Sequence, residues 1–159
     1  MRQVFIHIKK KKVLLNLLKN EIKKFYKENL VSLVIFGSFA RSDFFSDIDL
    51  LIVCKRLPVH RIRRVEDFMR IEDILIRKGF DFFYSPVIKT TEEVKLGSPL
   101  FFDMIEDAII LYDRDNFFKN YLNILKKRLN QLGATKMKYK DYWFWLLKKD
   151  YHLGEIFSL

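Results

Sequence analysis

Two aspartates separated by one residue begin an apolar run, and they are the residues of this chain best suited to chemistry. Asp47 and Asp49 alternate with Ile48 and Leu50 in a segment that has the composition of a buried strand. Because alternate residues of a strand point to the same face, the two carboxylates project together, about 7 Å apart. Divalent cations prefer oxygen ligands, and a cation offsets the cost of placing unpaired acids near a core. The sequence therefore predicts a divalent metal site at this pair.

A glycine-serine pair precedes the two acids and follows another apolar run. Gly37 and Ser38 come directly after residues 31–36, which predict a buried strand. A Gly-Ser turn that opens a helix offers free backbone N–H groups to a phosphate, and glycine lets the backbone approach that phosphate closely. Arg41 would either contact a triphosphate or pair with a local acid such as Asp43, and the spacing favours neither. A metal clamp beside a phosphate cradle is typical of nucleotide chemistry.

The segment from Phe36 to Val53 resembles the signature of the nucleotidyltransferase superfamily that includes DNA polymerase beta, most closely its minimal prokaryotic members. The resemblance rests on Gly-Ser-x-Ala-Arg from Gly37 and on Ser-Asp-x-Asp-Leu from Ser46. It implies an α/β (α+β) fold in which a mixed β-sheet is flanked by helices. It also implies transfer of a nucleoside monophosphate to a hydroxyl group, with ATP as the expected donor and two Mg²⁺ ions bound to the acid pair. Gly37, Ser38 and Arg41 would then bind the triphosphate.

A third acid, Asp81, lies where the resembling family takes a further metal ligand, on a strand that follows the helix after Asp-x-Asp. It stands among aromatic residues in the segment 80–87, and an acid in such a strand requires a partner. Asp81 would bind the metal that activates the attacking hydroxyl and accept its proton. The alternative is an aspartate at the exposed start of a strand. Three further acids are rival candidates on an expected helix: Asp103, Glu106 and Asp107.

Length and composition indicate one folded domain. The chain has 159 residues, of which 50% are hydrophobic and 16 are Phe, so it can bury a core and disorder is excluded. The single cysteine, Cys54, excludes a disulfide framework and favours a reducing compartment. No apolar run approaches the ~20 residues that span a bilayer, and residues 1–18 lack the pattern of a signal peptide. We therefore expect a cytoplasmic protein that is not inserted in a membrane.

The apolar pattern predicts a single domain over residues 1–159, which the resemblance implies is a nucleotidyltransferase domain, with a core at about 30–113 and a C-terminal helix and aromatic tail at 115–159. Helices are expected at 9–29, 59–78, 99–107 and 115–132, and strands at 31–36, 47–53, 80–87 and 108–112. The second helix is expected to bury Ile62, Val65, Met69 and Leu75 and to end at Gly79, and Asp115 or Asn116 to cap the last helix. The tail at 138–149 is expected to be a strand or an irregular segment. Its aromatic residues either stack on a base or pack in the core.

The acceptor is left open by the residues themselves. The net charge of +10 favours a polyanionic partner, although a lysine-rich surface that keeps a Phe-rich protein in solution explains it equally well. Small members of the resembling family modify a partner protein, and several are antitoxins that adenylylate a tyrosine of a helical HEPN-type toxin; this is the leading expectation. RNA or a small molecule is an open alternative, and a homo-oligomer is compatible with the sequence. The connection from Ser38 to Asp47 is shorter than is usual in the family, so the second hypothesis is an inactive binding module for RNA or a protein.

Overall fold

The computed structural model describes residues 3–140, 142–150 and 152, and a four-stranded mixed β-sheet lies at its centre. The strands are β1 (Val4–Phe5), β2 (Leu30–Phe36), β3 (Phe44–Phe45), β4 (Ile48–Cys54), β5 (Tyr84–Thr90), β6 (Ile109–Asp113), β7 (Thr135–Tyr139) and β8 (Tyr142–Leu146). The helices are α1 (Ile8–Tyr26), α2 (Gly37–Arg41), α3 (Arg61–Arg77), α4 (Thr91–Lys95), α5 (Leu100–Asp107) and α6 (Phe117–Leu132), with 3₁₀ turns at Lys27–Asn29 and Arg114–Asn116. The mixed sheet flanked by helices that the sequence predicts is confirmed.

The central sheet has the strand order β5-β4-β2-β6. β2 runs antiparallel to both β4 and β6, whereas β4 and β5 are parallel. The short strands β1 and β3 form a separate antiparallel pair, and β7 and β8 form a C-terminal hairpin. The register places Phe36 opposite Asp49 on one side of β4 and Ser85 opposite Asp49 on the other. The end of β4 that carries the aspartates therefore lies between the end of β2 and the start of β5.

Helices cover both faces of the sheet because β2 and β4 are apolar on both sides, as expected for strands buried in a three-layer fold. One face packs against α1 and α3, for example through Leu18 and Phe68, and the other against α4, α5 and α6, for example through Phe101 and Phe118. In α1 the buried residues recur every fourth position, which is the helical period that its sequence predicts. No described helix is long and apolar enough to cross a membrane.

In the middle of the chain, one predicted strand boundary is wrong and one helix was not predicted. The expected strand at 80–87 begins at Tyr84, because residues after α3 form a turn in which Gly79 (φ +85°) ends the helix and Phe80 packs into the core. Gly79 itself is confirmed as the residue that ends the helix. α4 was not predicted; it begins with a capping box in which Thr90 and Glu93 satisfy each other's backbone N–H groups.

The face of α3 that enters the core also differs from the prediction. Three of the four expected core residues, Ile62, Val65 and Met69, are exposed, and only Leu75 is buried. The helix instead buries Arg64, Phe68, Ile71 and Leu75. Both sets have helical spacing, so periodicity alone could not choose between them. The face that packs on the sheet is the one that carries the aromatic ring of Phe68. The buried guanidinium of Arg64 on that face donates two hydrogen bonds to Glu93, which offset the cost of its burial.

Asn116, one of the two residues expected to cap α6, occupies the N-cap position, but its side chain makes no capping hydrogen bond. Asp115 and Asn116 have positive φ angles and give the helix no side-chain cap. Asp113, at the end of β6, accepts the N–H bonds of Phe118 and Lys119 and also the hydroxyl of buried Ser32. One carboxylate therefore joins the helix start to the central strand.

Candidate active site

The glycine that opens α2 and the second aspartate of the pair lie in direct contact. Chain direction reverses at the end of β2, where α2 begins at Gly37 and the facing residue on β4 is Asp49. An ideal Cβ at Gly37 would lie 2.9 Å from Cγ of Asp49 and closer still to its Oδ2, and the φ angle of Gly37 is +71°. Both observations require glycine here. Ser38 follows in the first turn of α2, whose backbone N–H groups have no partner within the helix.

The first aspartate of the pair is held by two serine hydroxyls. Ser46 donates to Oδ1 of Asp47 at 2.8 Å, and Ser85 on β5 donates to Oδ2 at 2.8 Å. Asp47 precedes β4 rather than starting it, and both acids are half-buried. Asp47 therefore faces β5, whereas Asp49 lies against α2. The two carboxylates line the edge of the sheet between these elements.

The electrostatics of the pair fit a divalent cation. The pKa of Asp49 is raised to about 6, first by burial and then by the negative charge of Asp47, while Arg41 acts in the opposite direction. Such mutual repulsion is relieved by a bound cation. Within the ranges described, no three Asp, Glu, His or Cys side chains converge as a closed metal site. Mg²⁺ is commonly bound by one or two carboxylates together with water and substrate phosphates, so two acids suit a cation that arrives with a nucleotide.

Arg41 does not pair with Asp43, which was one of its two expected partners. Its guanidinium lies 3.6 Å from Oδ2 of Asp107 at the end of α5, and the side chain is about half exposed. Asp43 instead contacts Lys11 of α1 at 3.2 Å. Arg41 thus stands at the far end of α2 from Gly37, with its charge beside the acid pair and open to solvent.

Asp81 is not brought together with Asp47 and Asp49. It is exposed and lies in the turn before β5, three residues ahead of Tyr84. Burial is the main cause of the raised pKa of Glu72 and of Tyr84, and the negative charge of Asp81 raises both further. The position on β5 that faces the acid pair holds Ser85 instead. The expectation that Asp81 lies within a strand beside the pair is wrong.

The rival acids on α5 lie in a different place, where they contact basic side chains. Asp103 and Glu106 lie 3.0 and 3.6 Å from the ammonium of Lys136 on β7, and Asp107 contacts Arg41. Ser46 and Ser85 were missed as neighbours of the site, and Asp107, named in the sequence only as a rival metal ligand, adjoins the site through its contact with Arg41. Ser46 is adjacent to Asp47 in the chain, whereas the other two contacts depend on strand register and helix packing.

Comparison with known proteins agrees with this geometry. The family model described as "Polymerase beta, Nucleotidyltransferase" matches residues 20–117, which include the Gly-Ser turn, both aspartates and α5. A relative from Methanocaldococcus jannaschii, named "Putative protein adenylyltransferase MJ1305", is 34% identical over 126 residues, covering 76% of this chain and 84% of its own.

Solved structures resemble the fold at low sequence identity. A crystal structure from Shewanella oneidensis has 17% identity and a TM-score of 0.50, covering 74% of this chain and 85% of that chain. A chain in the complex of a tri-AMPylated Shewanella oneidensis HEPN toxin with its MNT antitoxin has 17% identity and a TM-score of 0.42, covering 75% and 96%. The first likeness supports the fold, and neither bears on what this chain acts on. The family match, the curated relative and the observed site agree: the chain belongs to the polymerase beta-type nucleotidyltransferases.

Proposed function

We propose that this nucleotidyltransferase moves AMP from ATP to a hydroxyl group of a partner protein and releases pyrophosphate, with Mg²⁺ bound at Asp47 and Asp49. The observation that carries the proposal is the contact between Gly37 and Asp49. It fixes a turn with free backbone N–H groups against a half-buried carboxylate pair. Phosphate binding and cation binding are thereby combined at one point of the sheet edge.

The residues of the site divide the work by position. Backbone N–H groups of Gly37 and Ser38 and the hydroxyl of Ser38 would hold phosphate oxygens, and Arg41 would add a positive charge beside them. Asp47 and Asp49 would hold the cation, which when bound neutralises the triphosphate and lowers the pKa of the attacking hydroxyl. The serine hydroxyls on Asp47 keep that carboxylate oriented. Catalysis would then come from positioning and charge neutralisation.

A protein acceptor is supported by the name of the Methanocaldococcus jannaschii relative, at 34% identity and with most of both chains aligned. Within protein acceptors, we propose a tyrosine of a small helical HEPN-type protein, because the Gly-Ser and Asp-x-Asp motifs resemble those of minimal nucleotidyltransferases that act as antitoxins of such proteins. A chain with a net charge of +10 is also suited to an acidic protein surface or to RNA.

The proposal is tested by incubating the protein with ATP labelled at the α-phosphate, Mg²⁺, and either the product of the adjacent gene or total cell RNA. We expect label on a protein band that protease removes and nuclease does not. The double variant Asp47→Asn, Asp49→Asn should give none, and omission of Mg²⁺ should have the same effect. Label that only nuclease removes would make RNA the acceptor and contradict a protein acceptor.

The variant Asp81→Asn tests whether the metal is bound by Asp47 and Asp49 alone or also by Asp81. Because Asp81 is exposed and apart from the pair, we expect Asp81→Asn to retain transfer, whereas Asp49→Asn abolishes it. Loss of transfer in both variants, with unchanged unfolding temperatures, would restore Asp81 as a third ligand.

The binding-module hypothesis predicts a different result for the wild-type protein. It would be favoured if the wild-type protein neither transfers label nor binds ATP with Mg²⁺, and if it binds RNA with an affinity that falls steeply with salt.

A further inference from the structure

A cleft opens beside the candidate active site, between α5 and the C-terminal hairpin of β7 and β8. It has a volume of about 510 Å³, within the range of small-molecule sites. Its lining combines one aromatic ring with charges of both signs: Arg41, Asp103, Glu106, Asp107, Lys136 and Trp143. The hairpin, which contributes Lys136 and Trp143, lies beyond residues 20–117, so the family match does not cover that wall of the cleft.

The hairpin is fixed to α5 by contacts that leave one tryptophan free of the core. Trp145 packs edge-on against Phe102, with ring centroids 6.0 Å apart, and its indole N–H donates to Asp103 at 3.3 Å. Lys136, opposite Trp145 in the register, bridges to Asp103. Trp143 lies on the same face two residues earlier, but its side chain is 61% exposed. Trp143 therefore lines the cleft with much of its surface exposed, and the Lys138 ammonium lies 5.7 Å from the centroid of its ring.

The cleft adjoins the α2 side of the candidate active site at Arg41. Arg41 ends the helix that Gly37 opens, and it also lines the cleft. Asp47, in contrast, faces β5 through its bond to Ser85. A nucleotide with phosphates at the start of α2 therefore has the cleft on one side, and an acceptor hydroxyl has the β5 side for its approach.

The charges of the cleft suit the nucleoside end of a nucleotide better than its phosphates. Three carboxylates face two cations there, and each contact joins opposite charges: Arg41 with Asp107, and Lys136 with Asp103 and Glu106. The lining therefore lacks the positive excess that a polyphosphate requires. Carboxylates can accept hydrogen bonds from ribose hydroxyls or a base amino group, and an exposed tryptophan can stack on a base.

We propose that the cleft between α5 and the β7–β8 hairpin binds the nucleoside of the donor nucleotide, with Trp143 stacked on its base. This inference rests on the proposed function, because it takes a nucleoside triphosphate as the ligand of the neighbouring acid pair.

The test measures equilibrium binding of a non-hydrolysable ATP analogue and of inorganic triphosphate, both with Mg²⁺, to the full-length protein. We expect Trp143→Ala to weaken binding of the analogue by roughly 5- to 150-fold, the range for stacking of one base on an aromatic side chain. Inorganic triphosphate, which has no nucleoside, should bind equally to both forms. Trp143→Phe should keep most of the affinity. In transfer assays the loss should appear in KM for ATP rather than in kcat.

Phe144→Ala is the matched control, because Phe144 is also exposed on β8 but lies on the opposite face of the hairpin. It should leave both affinities unchanged. Unchanged affinity of Trp143→Ala for the analogue, or an equal loss for inorganic triphosphate, would overturn the inference. A rise in KM for the acceptor alone would assign the cleft to the acceptor and would also overturn it. If the wild-type protein binds neither the analogue nor triphosphate, the proposed function itself fails.

Discussion

Replacing Gly37 with alanine should lower the transfer rate far more than it lowers the stability of the fold. The φ angle of Gly37 is +71°, a conformation that costs an alanine about 1–2 kcal/mol. The added Cβ would lie 2.9 Å from Cγ of Asp49, whereas ordinary contact begins at 3.4 Å, and Oδ2 must move by more than an ångström. Misplacement of a reacting group by about 1 Å can cost roughly 100-fold in rate. We therefore expect Gly37→Ala to lose about 1–2 kcal/mol of stability and about 100-fold in transfer rate.

Gly79→Ala provides the matched control. Gly79 has a φ angle of +85°, but a Cβ there would meet nothing within 4 Å. Both variants carry the cost of a positive φ angle, so both should unfold in urea with a lower free energy than the wild type, Gly37→Ala by at least as much as Gly79→Ala. Only Gly37→Ala should lose AMP transfer and Mg²⁺-dependent ATP binding. Equal activity of both variants would refute the reasoning, since it would mean that the Gly37–Asp49 contact does not position the carboxylate.

Three further changes test the electrostatics of the protein. In EDTA, Asp49→Asn should raise the unfolding temperature at pH 8 but not at pH 3. The pKa of Asp49 is raised from 3.8 to about 6, so its ionisation begins to cost stability as pH rises above 3.8 and does so fully above about 6. No gain at pH 8 would contradict this. Asp113→Ala should lower the free energy of unfolding in urea by about 2–4 kcal/mol, because it removes the cap of α6 and leaves the buried Ser32 hydroxyl unpaired. A decrease below about 1 kcal/mol would show that the cap is dispensable. Arg64→Met should cost about 2 kcal/mol at pH 7. The hydrogen bond from Arg64 lowers the pKa of Glu93 from 4.5, so the stability difference between Arg64→Met and the wild type should shrink as pH falls through the lowered pKa of Glu93. A stability difference that does not change with pH would exclude the Arg64–Glu93 ion pair as its source.

The parts of the site that follow from local chemistry could be predicted from the sequence. The alternation of Asp47 and Asp49 with apolar residues predicts neighbouring carboxylates, and the residue types of Gly37 and Ser38 predict the turn that opens α2. Both depend on a few consecutive residues. The fold class followed for the same reason, since strand and helix periods are short-range patterns.

The rest depends on contacts between residues far apart in the chain. Ser85 reaches Asp47 only because β5 aligns in parallel with β4, 38 residues away. The late start of β5, which leaves Asp81 in a turn, follows from how the chain leaves α3 and buries Phe80. Arg41 meets Asp107 because α2 and α5 pack together. None of these contacts can be predicted from the spacing of residues along the sequence.

The central claim is that the protein transfers a nucleoside monophosphate, and the position of the transferred phosphorus tests it most directly. Parallel reactions with ATP labelled at the α- or the γ-phosphate would be followed by mass spectrometry of the acceptor. The account predicts that α-label is incorporated, that the acceptor gains the mass of one AMP, and that γ-label appears only in released pyrophosphate. Incorporation of γ-label into the acceptor would show phosphoryl transfer and would contradict the account.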